Sequence, residues 1–178
     1  MSEQIKINKI FRDFGITLID NGVSFTRKAV QNNPLTSISY ATIKTNLVNA
    51  GISCSTSEMD VMYQTASWAL WEETLALVHI ILGKIKWTAE VFDCDDFARA
   101  KKSFMALLFG MTDMGEVWGK VYNKDTGVLE WYHYFNVIIA SDNRVYAHEP
   151  ITGESVLIIK GKPVVIGDWR YEFISARF

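Results

Sequence analysis

The segment LEWYHYFNVIIASDNRVYAHEP, residues 129–150, decides how the second half of the chain folds. It holds two apolar runs separated by Ser141-Asp142-Asn143. The pattern predicts strands over 128–139 and 144–149, with Pro150 ending the second because proline has no N–H to give a ladder. Strand alternation puts His133, Phe135 and Val137 on one face. The turn then sets the register. A three-residue loop pairs Ala140 with Arg144 and Glu149 with Phe135, which makes Glu149 a diagonal neighbour of His133 on the same face. Asn143 suits the left-handed position that such a loop uses. A two-residue loop pairs Glu149 with Asn136 instead and sends the two groups to opposite faces. Both registers stand on sequence alone.

Strand signals continue on either side. A strand over 116–122 is followed by Asn-Lys-Asp-Thr-Gly at 123–127, a hairpin loop with Gly127 available for a left-handed position. Further strands are expected over 156–159, 164–166 and 169–178, separated by turns at Gly153 and Gly161. Upstream the period changes to that of helices. Trp68, Trp71, Leu75, Val78 and Leu82 fit a helix over 67–82, ended by Gly83. Such an aromatic stripe marks a buried face. Asp93 is a good N-cap and Asp96 stands three residues on, where a capping box places an acid. Phe97, Ala100, Phe104 and Leu107 would then share a face, with Gly110 as the stop. A shorter helix, capped by Thr36 or Ser37, is expected to run to about Asn49. Gly22 and residues 31–34 look like turns. Helices followed by antiparallel strands define an α+β domain over 60–178, preceded by a helical appendage over 1–59.

The chain has 178 residues, a net charge of −2, and an apolar share of 49% against 21% charged. That is a globular balance with room for a sizeable core. It offers no basic face for nucleic acid. The apolar stretch over 69–82 is interrupted by Glu72, Glu73 and His79 and is too short to span a bilayer. The N-terminal residues lack the apolar core of a secretory signal. Two cysteines, Cys54 and Cys94, make no disulfide framework and suit a reducing compartment. A cytoplasmic or virion-associated setting follows as an expectation.

Three residues carry candidate chemistry. Cys94 would be the first residue of its helix, where unbonded N–H groups and the helix dipole favour a thiolate. The plainer reading is a buried, inert thiol. His133 on its strand reads equally as a satisfied core histidine. Glu149 ends a strand, where a carboxylate beside an imidazole would fix its tautomer and stabilise its charged form. The plainer reading is a solvated strand end. Asp93, Asp95 and Asp96 crowd Cys94 with negative charge, which disfavours a thiolate. A divalent cation on Asp95, Asp96 and Glu149 would reverse that field with the hard oxygen ligands that Ca²⁺ prefers. Without a cation, Asp93 and Asp96 simply cap the helix.

The strings Val-Phe-Asp-Cys-Asp-Asp-Phe-Ala at 91–98, His-Tyr-Phe-Asn-Val at 133–137 and Ala-His-Glu-Pro-Ile-Thr-Gly at 147–153 stand 39 and 16 residues apart, measured between Cys94, His133 and Glu149. In that order they resemble the family of the C-terminal domain of the Marasmius oreades agglutinin, with its stand-alone bacterial and phage relatives, over residues 60–178. The resemblance implies a papain-like fold and a calcium- or manganese-dependent cysteine protease. It gives Cys94 the role of nucleophile, His133 that of base and Glu149 that of the orienting acid. It also implies Asp95 and Asp96 as metal ligands and Asn136 as a supporting residue. No glutamine stands just before Cys94 to complete an oxyanion hole.

Two readings follow. The first is a metal-activated peptidase acting on a peptide or protein substrate through an acyl-enzyme. The second is an inactive module of the same fold with an assembly role, as in a phage particle, docking as a homo-oligomer or to a virion partner through residues 1–59. A cell-wall amidase is a third option, but such enzymes carry a small Ser-Gly after the cysteine where this chain has Asp95-Asp96.

Overall fold

The computed structural model describes residues 35–54, 60–89 and 92–178, and Leu35–Phe178 form one compact unit. The calls made above on residues 1–34 lie outside the described residues, as do 55–59 of the expected appendage.

The unit begins with strand β1 (Thr36–Ser39), helix α1 (Tyr40–Ala50) and strand β2 (Met62–Thr65). Ser39, rather than Thr36 or Ser37, caps α1, its hydroxyl accepting from the Thr42 N–H at 3.2 Å. The residues just before it pair with β2 in a small antiparallel sheet, with Ile38 opposite Tyr63. Pairing across the chain therefore overrides the local capping preference at residues 36 and 37. Ile38, Tyr40, Ile43, Leu47 and Ile52 all enter the main core.

Helix α2 (Trp68–Leu82) is capped by Ser67 and buries Leu70, Trp71, Thr74, Leu75, Val78 and Leu82. Trp68 stacks on Tyr146 with ring centroids 3.6 Å apart. Helix α3 (Cys94–Phe109) ends on Gly110, whose φ of 68° is left-handed. Its inner face differs from the one expected. Phe97, Ala98, Lys101, Met105 and Phe109 are buried, whereas Leu107 is 82% exposed. A lysine occupies a place in the buried row that the apolar pattern could not reveal.

The remaining strands are β3 (Met114–Asn123), β4 (Leu129–Ile139), β5 (Val145–His148), β6 (Ser155–Leu157), β7 (Val164–Ile166) and β8 (Trp169–Arg177). They form one antiparallel sheet in the order β6-β5-β4-β3-β8-β7. The expected meander holds from β3 to β6. The β7–β8 hairpin then returns to the opposite edge of β3, so Val117 pairs with Phe135 on one side and Ala176 on the other. The edge strands β6 and β7 lie against each other, and the sheet is nearly closed. Val117, Val121, Phe135, Val137, Tyr171 and Ala176 pack in the enclosed core. Asn136 and Lys101 belong to the other side of the sheet, where α3 packs against β4.

This corrects the expectation of a papain-like α+β domain with helices first and a simple meander after. Strands precede and interleave the helices, and the dominant element is the curled sheet. Inward alternation on β3, β4 and β8 supplies enough apolar surface to close it around its own core. No helix among the described residues is long and apolar enough to cross a membrane.

Gly119 lies opposite His133 in the β3–β4 ladder. A Cβ there would come within 2.6 Å of the Glu172 carbonyl oxygen and 2.8 Å of Phe135. Backbone cannot yield as a side-chain tip does, so Gly119→Ala should lose about 1–3 kcal/mol in urea unfolding. An unchanged midpoint would mean that the strand has room here.

Candidate functional site: a thiol, an imidazole and a carboxylate

Three separate elements bring the candidate residues to one cleft. Asp93 holds an extended conformation before α3, and the Asp96 carboxylate accepts from its N–H at 3.4 Å, as the capping box predicts. Cys94 is thereby the first helical residue, half-buried, where backbone N–H groups have no acceptor inside the helix. Neither Cys94 nor Cys54 is in a disulfide.

The register of the second and third residues follows the three-residue loop. Ala140 N–H donates to the Arg144 carbonyl at 2.9 Å, and Asn143 takes a φ of 66°. Asn136 pairs with His148, so Glu149 continues opposite Phe135 and reaches His133 along the diagonal. His133 Nε2 and Glu149 Oε2 are 2.6 Å apart, with both residues buried. The carboxylate is held on both oxygens. Tyr171 donates its hydroxyl to Oε2 at 3.0 Å, and the Ile151 N–H donates to Oε1 at 3.0 Å. Glu149 is therefore not a solvated strand end.

Cys94 and His133 line the same cleft. Burial by itself would lower the pKa of His133. Its interactions with Cys94 and with the Glu149 carboxylate override burial and push the value up to about 9. The imidazole thus sits protonated at neutral pH between a sulfur and a carboxylate. Burial first, and then the Glu149 charge, hold the Tyr171 hydroxyl in its protonated, donating form.

These groups open on a cleft of about 470 Å³ whose walls are largely aromatic: Trp87, Trp131, Tyr132, Trp169 and Tyr171. Trp131 and Trp169 meet edge to face, with centroids 4.7 Å apart. Asn136 faces away from the cleft. Its amide donates to the Ala98 carbonyl at 3.0 Å and the Gly115 carbonyl at 3.3 Å, tying α3 to the sheet. It supports the site through the helix that carries Cys94.

The acidic residues form a separate group. Asp93, Asp95 and Asp96 each offer one oxygen within 4.8 Å of the others. Glu149, expected among the metal ligands, is outside this group and spends its oxygens on His133, Tyr171 and Ile151. A hydrogen bond with Asp93, then burial, raises the Asp95 pKa, while Arg99 at 2.6 Å opposes them.

Sequence reasoning missed Tyr171, the aromatic walls and Lys101. The alternating Trp169, Tyr171 and Phe173 marked one face of a strand, but nothing local linked that face to Glu149.

No family model and no curated protein matches the chain. Solved structures do. One, titled as a complex of PSL1a with E64, is 20% identical, with a TM-score of 0.58 over 80% of this chain. Another, the Polyporus squamosus lectin bound to the human-type influenza-binding epitope Neu5Aca2-6Galb1-4GlcNAc, is 18% identical, with a TM-score of 0.55 over 80% of this chain. This chain spans about half the length of each, 51% and 49%. Likeness at this identity shows the fold alone.

These matches correct the family and activity expected from the sequence. The fold is shared with two structures, one of them titled for a lectin, and neither title names a papain-like or calcium-dependent cysteine protease. The peptidase reading, its peptide or protein substrate, and the homo-oligomer or virion partner are not carried forward. The ligand printed for the Polyporus structure is a glycan rather than a peptide.

The raised pKa of His133 has a consequence for stability. An unfolded histidine titrates near ~6.5, and the folded value is about 9. The folded state therefore binds the extra proton, and the stabilisation is full below the unfolded value and lost as pH rises through the folded one. In urea unfolding, wild type should lose about 3 kcal/mol relative to His133→Gln between about pH 6.5 and pH 9. A difference that stays flat across this window would show that the ring is not held protonated.

Proposed function

We propose that the cleft binds a small ligand against its aromatic walls and presents it to a reactive thiol. In this reading Cys94 is the nucleophile, the protonated His133 stabilises its thiolate and gives the proton back, and Glu149 orients and charges the ring. The observation that carries it is the 2.6 Å contact of His133 with Glu149 on the cleft that Cys94 also lines. A core histidine satisfied by its carboxylate does not require a cysteine at a helix start in the same cleft. Among the described residues the cleft walls offer no charged group outside this constellation, and most of the lining is aromatic. A cytoplasmic or virion-associated setting belongs to the proposal, because a reducing compartment preserves a thiol.

Glycan binding is the second reading. It is supported by the lectin title of the Polyporus structure and by Trp87, Trp131 and Trp169, whose flat rings suit the apolar faces of sugars. Neutral reagents separate the two. Iodoacetamide should alkylate Cys94 faster than Cys54, and His133→Ala and Glu149→Gln should slow Cys94 by about 10²-fold or more. A mass increase at Cys94 with E64, the molecule named in the PSL1a complex, would agree. Equal rates at the two cysteines, unaffected by either substitution, would overturn the thiol reading. Saturable quenching of tryptophan fluorescence by the sialylated trisaccharide, lost in Trp131→Ala, would favour the glycan reading instead.

We also propose that Asp93, Asp95 and Asp96 hold a divalent cation, calcium or manganese by the preference of those ions for hard oxygens. Their carboxylates fit such an ion in type and spacing. Millimolar calcium should raise the melting temperature of wild type and leave Asp95→Asn unmoved. An equal response in both proteins would remove the site.

A further inference from the structure

We propose that Tyr171 is a positioning residue for the thiol centre: its hydroxyl pins Oε2 of Glu149 at the place where the carboxylate meets His133. The inference rests on the thiol reading above and adds to it a residue from another strand. Oε2 is met from two sides, lying 2.6 Å from His133 Nε2 and 3.0 Å from the Tyr171 hydroxyl. Oε1 accepts from the Ile151 N–H at 3.0 Å. Were His133 the sole partner of Oε2, the ring would be oriented by a group that the ring itself holds in place. A carboxylate anchored at Oε1 alone can pivot about that oxygen. The tyrosine closes this gap, because it fixes Oε2 from an element that does not depend on the imidazole.

That element is held firmly. Tyr171 stands on β8 and pairs with Val121 of β3 on one side and with Val164 of β7 on the other. Its ring meets the phenyl of Phe135 edge to face, with centroids 5.2 Å apart. The His133 ring lies nearly parallel to the same phenyl, 6.3 Å away. Phe135 is fully buried, so one immobile ring backs both the tyrosine and the histidine.

Tyrosine suits the task through its two ends. The apolar ring belongs in this core, and the hydroxyl is a polar tip that needs a partner when buried. Phe173 packs against Phe135 as well, with centroids 5.3 Å apart, and fills its place without a hydroxyl. Packing alone therefore asks for no oxygen at position 171. Burial, and then the Glu149 charge, keep the proton on that oxygen, so it remains a donor to the carboxylate.

The test uses the full chain as wild type, Tyr171→Phe, Glu149→Gln and the double variant. It reads the Cys94 alkylation rate by iodoacetamide at neutral pH, the low-field proton signal of the His133 ring N–H in nuclear magnetic resonance, and the melting temperature. Tyr171→Phe keeps the ring and removes only the donor. It should slow alkylation about tenfold, the size of one hydrogen bond to a charged group, and move the His133 signal upfield as the bond to Oε2 loosens. The double variant should be no slower than Glu149→Gln alone, because the hydroxyl acts through that carboxylate. A hydroxyl that merely satisfies a buried charge predicts a lower melting temperature with the wild-type rate and the wild-type His133 signal. That result beside a slow Glu149→Gln, or additive slowing in the double variant, overturns the inference and leaves the thiol reading standing. Should the phenylalanine variant fail to fold, Tyr171→Met takes its place and is read the same way. Wild-type reactivity in Glu149→Gln overturns both.

Discussion

A carboxylate 3% exposed to solvent must have its charge answered from inside the protein, and Glu149 imposes that demand on everything around it. Three groups meet it: the imidazole of His133, the hydroxyl of Tyr171 and the backbone N–H of Ile151. Each comes from a different part of the fold, namely β4, β8 and the turn after β5. The closing of the sheet by the β7–β8 hairpin is what brings Tyr171 to the carboxylate at all. Fold and site are linked through that one buried charge.

The chemistry of the cleft follows from the same constraint. A buried imidazole would ordinarily shed its proton, yet His133 keeps one because its interactions with Cys94 and Glu149 favour the charged ring. The ring's charge is then available to a sulfur that also sits on the positive end of a helix. The acidic cluster beside it pulls the other way, which gives a cation there an electrostatic purpose.

Local signals read well where chemistry and position coincide. The Asp93 cap and the Gly110 stop were legible, and the turn at 141–143 left two registers, of which the three-residue one that the structure adopts puts Glu149 beside His133. Other features depend on partners distant in sequence. Residues 36 and 37 were read as helix caps because nothing nearby announced β2. Lys101 was passed over because a charged residue normally marks an exposed face. The order of the strands was likewise hidden, since a return to the far edge of β3 and a simple continuation present the same alternation. The likeness to the agglutinin domain drew on three short strings, and the structural matches redirected it toward a fold shared with a lectin.

The tie of Asn136 to the Ala98 carbonyl, one turn beyond Cys94, carries an implication for length variation. Each residue added to a helix turns everything beyond it by about 100° and advances it about 1.5 Å. One extra residue between Cys94 and Ala98 would swing the sulfur to a new side of the helix, while that tie and the sheet remained intact. The exposed turns at 124–127 and 159–162 carry no such phase relation and would absorb insertions without disturbing the cleft. In this chain, spacing along a single helix is as much a determinant of chemistry as the identity of the side chains upon it.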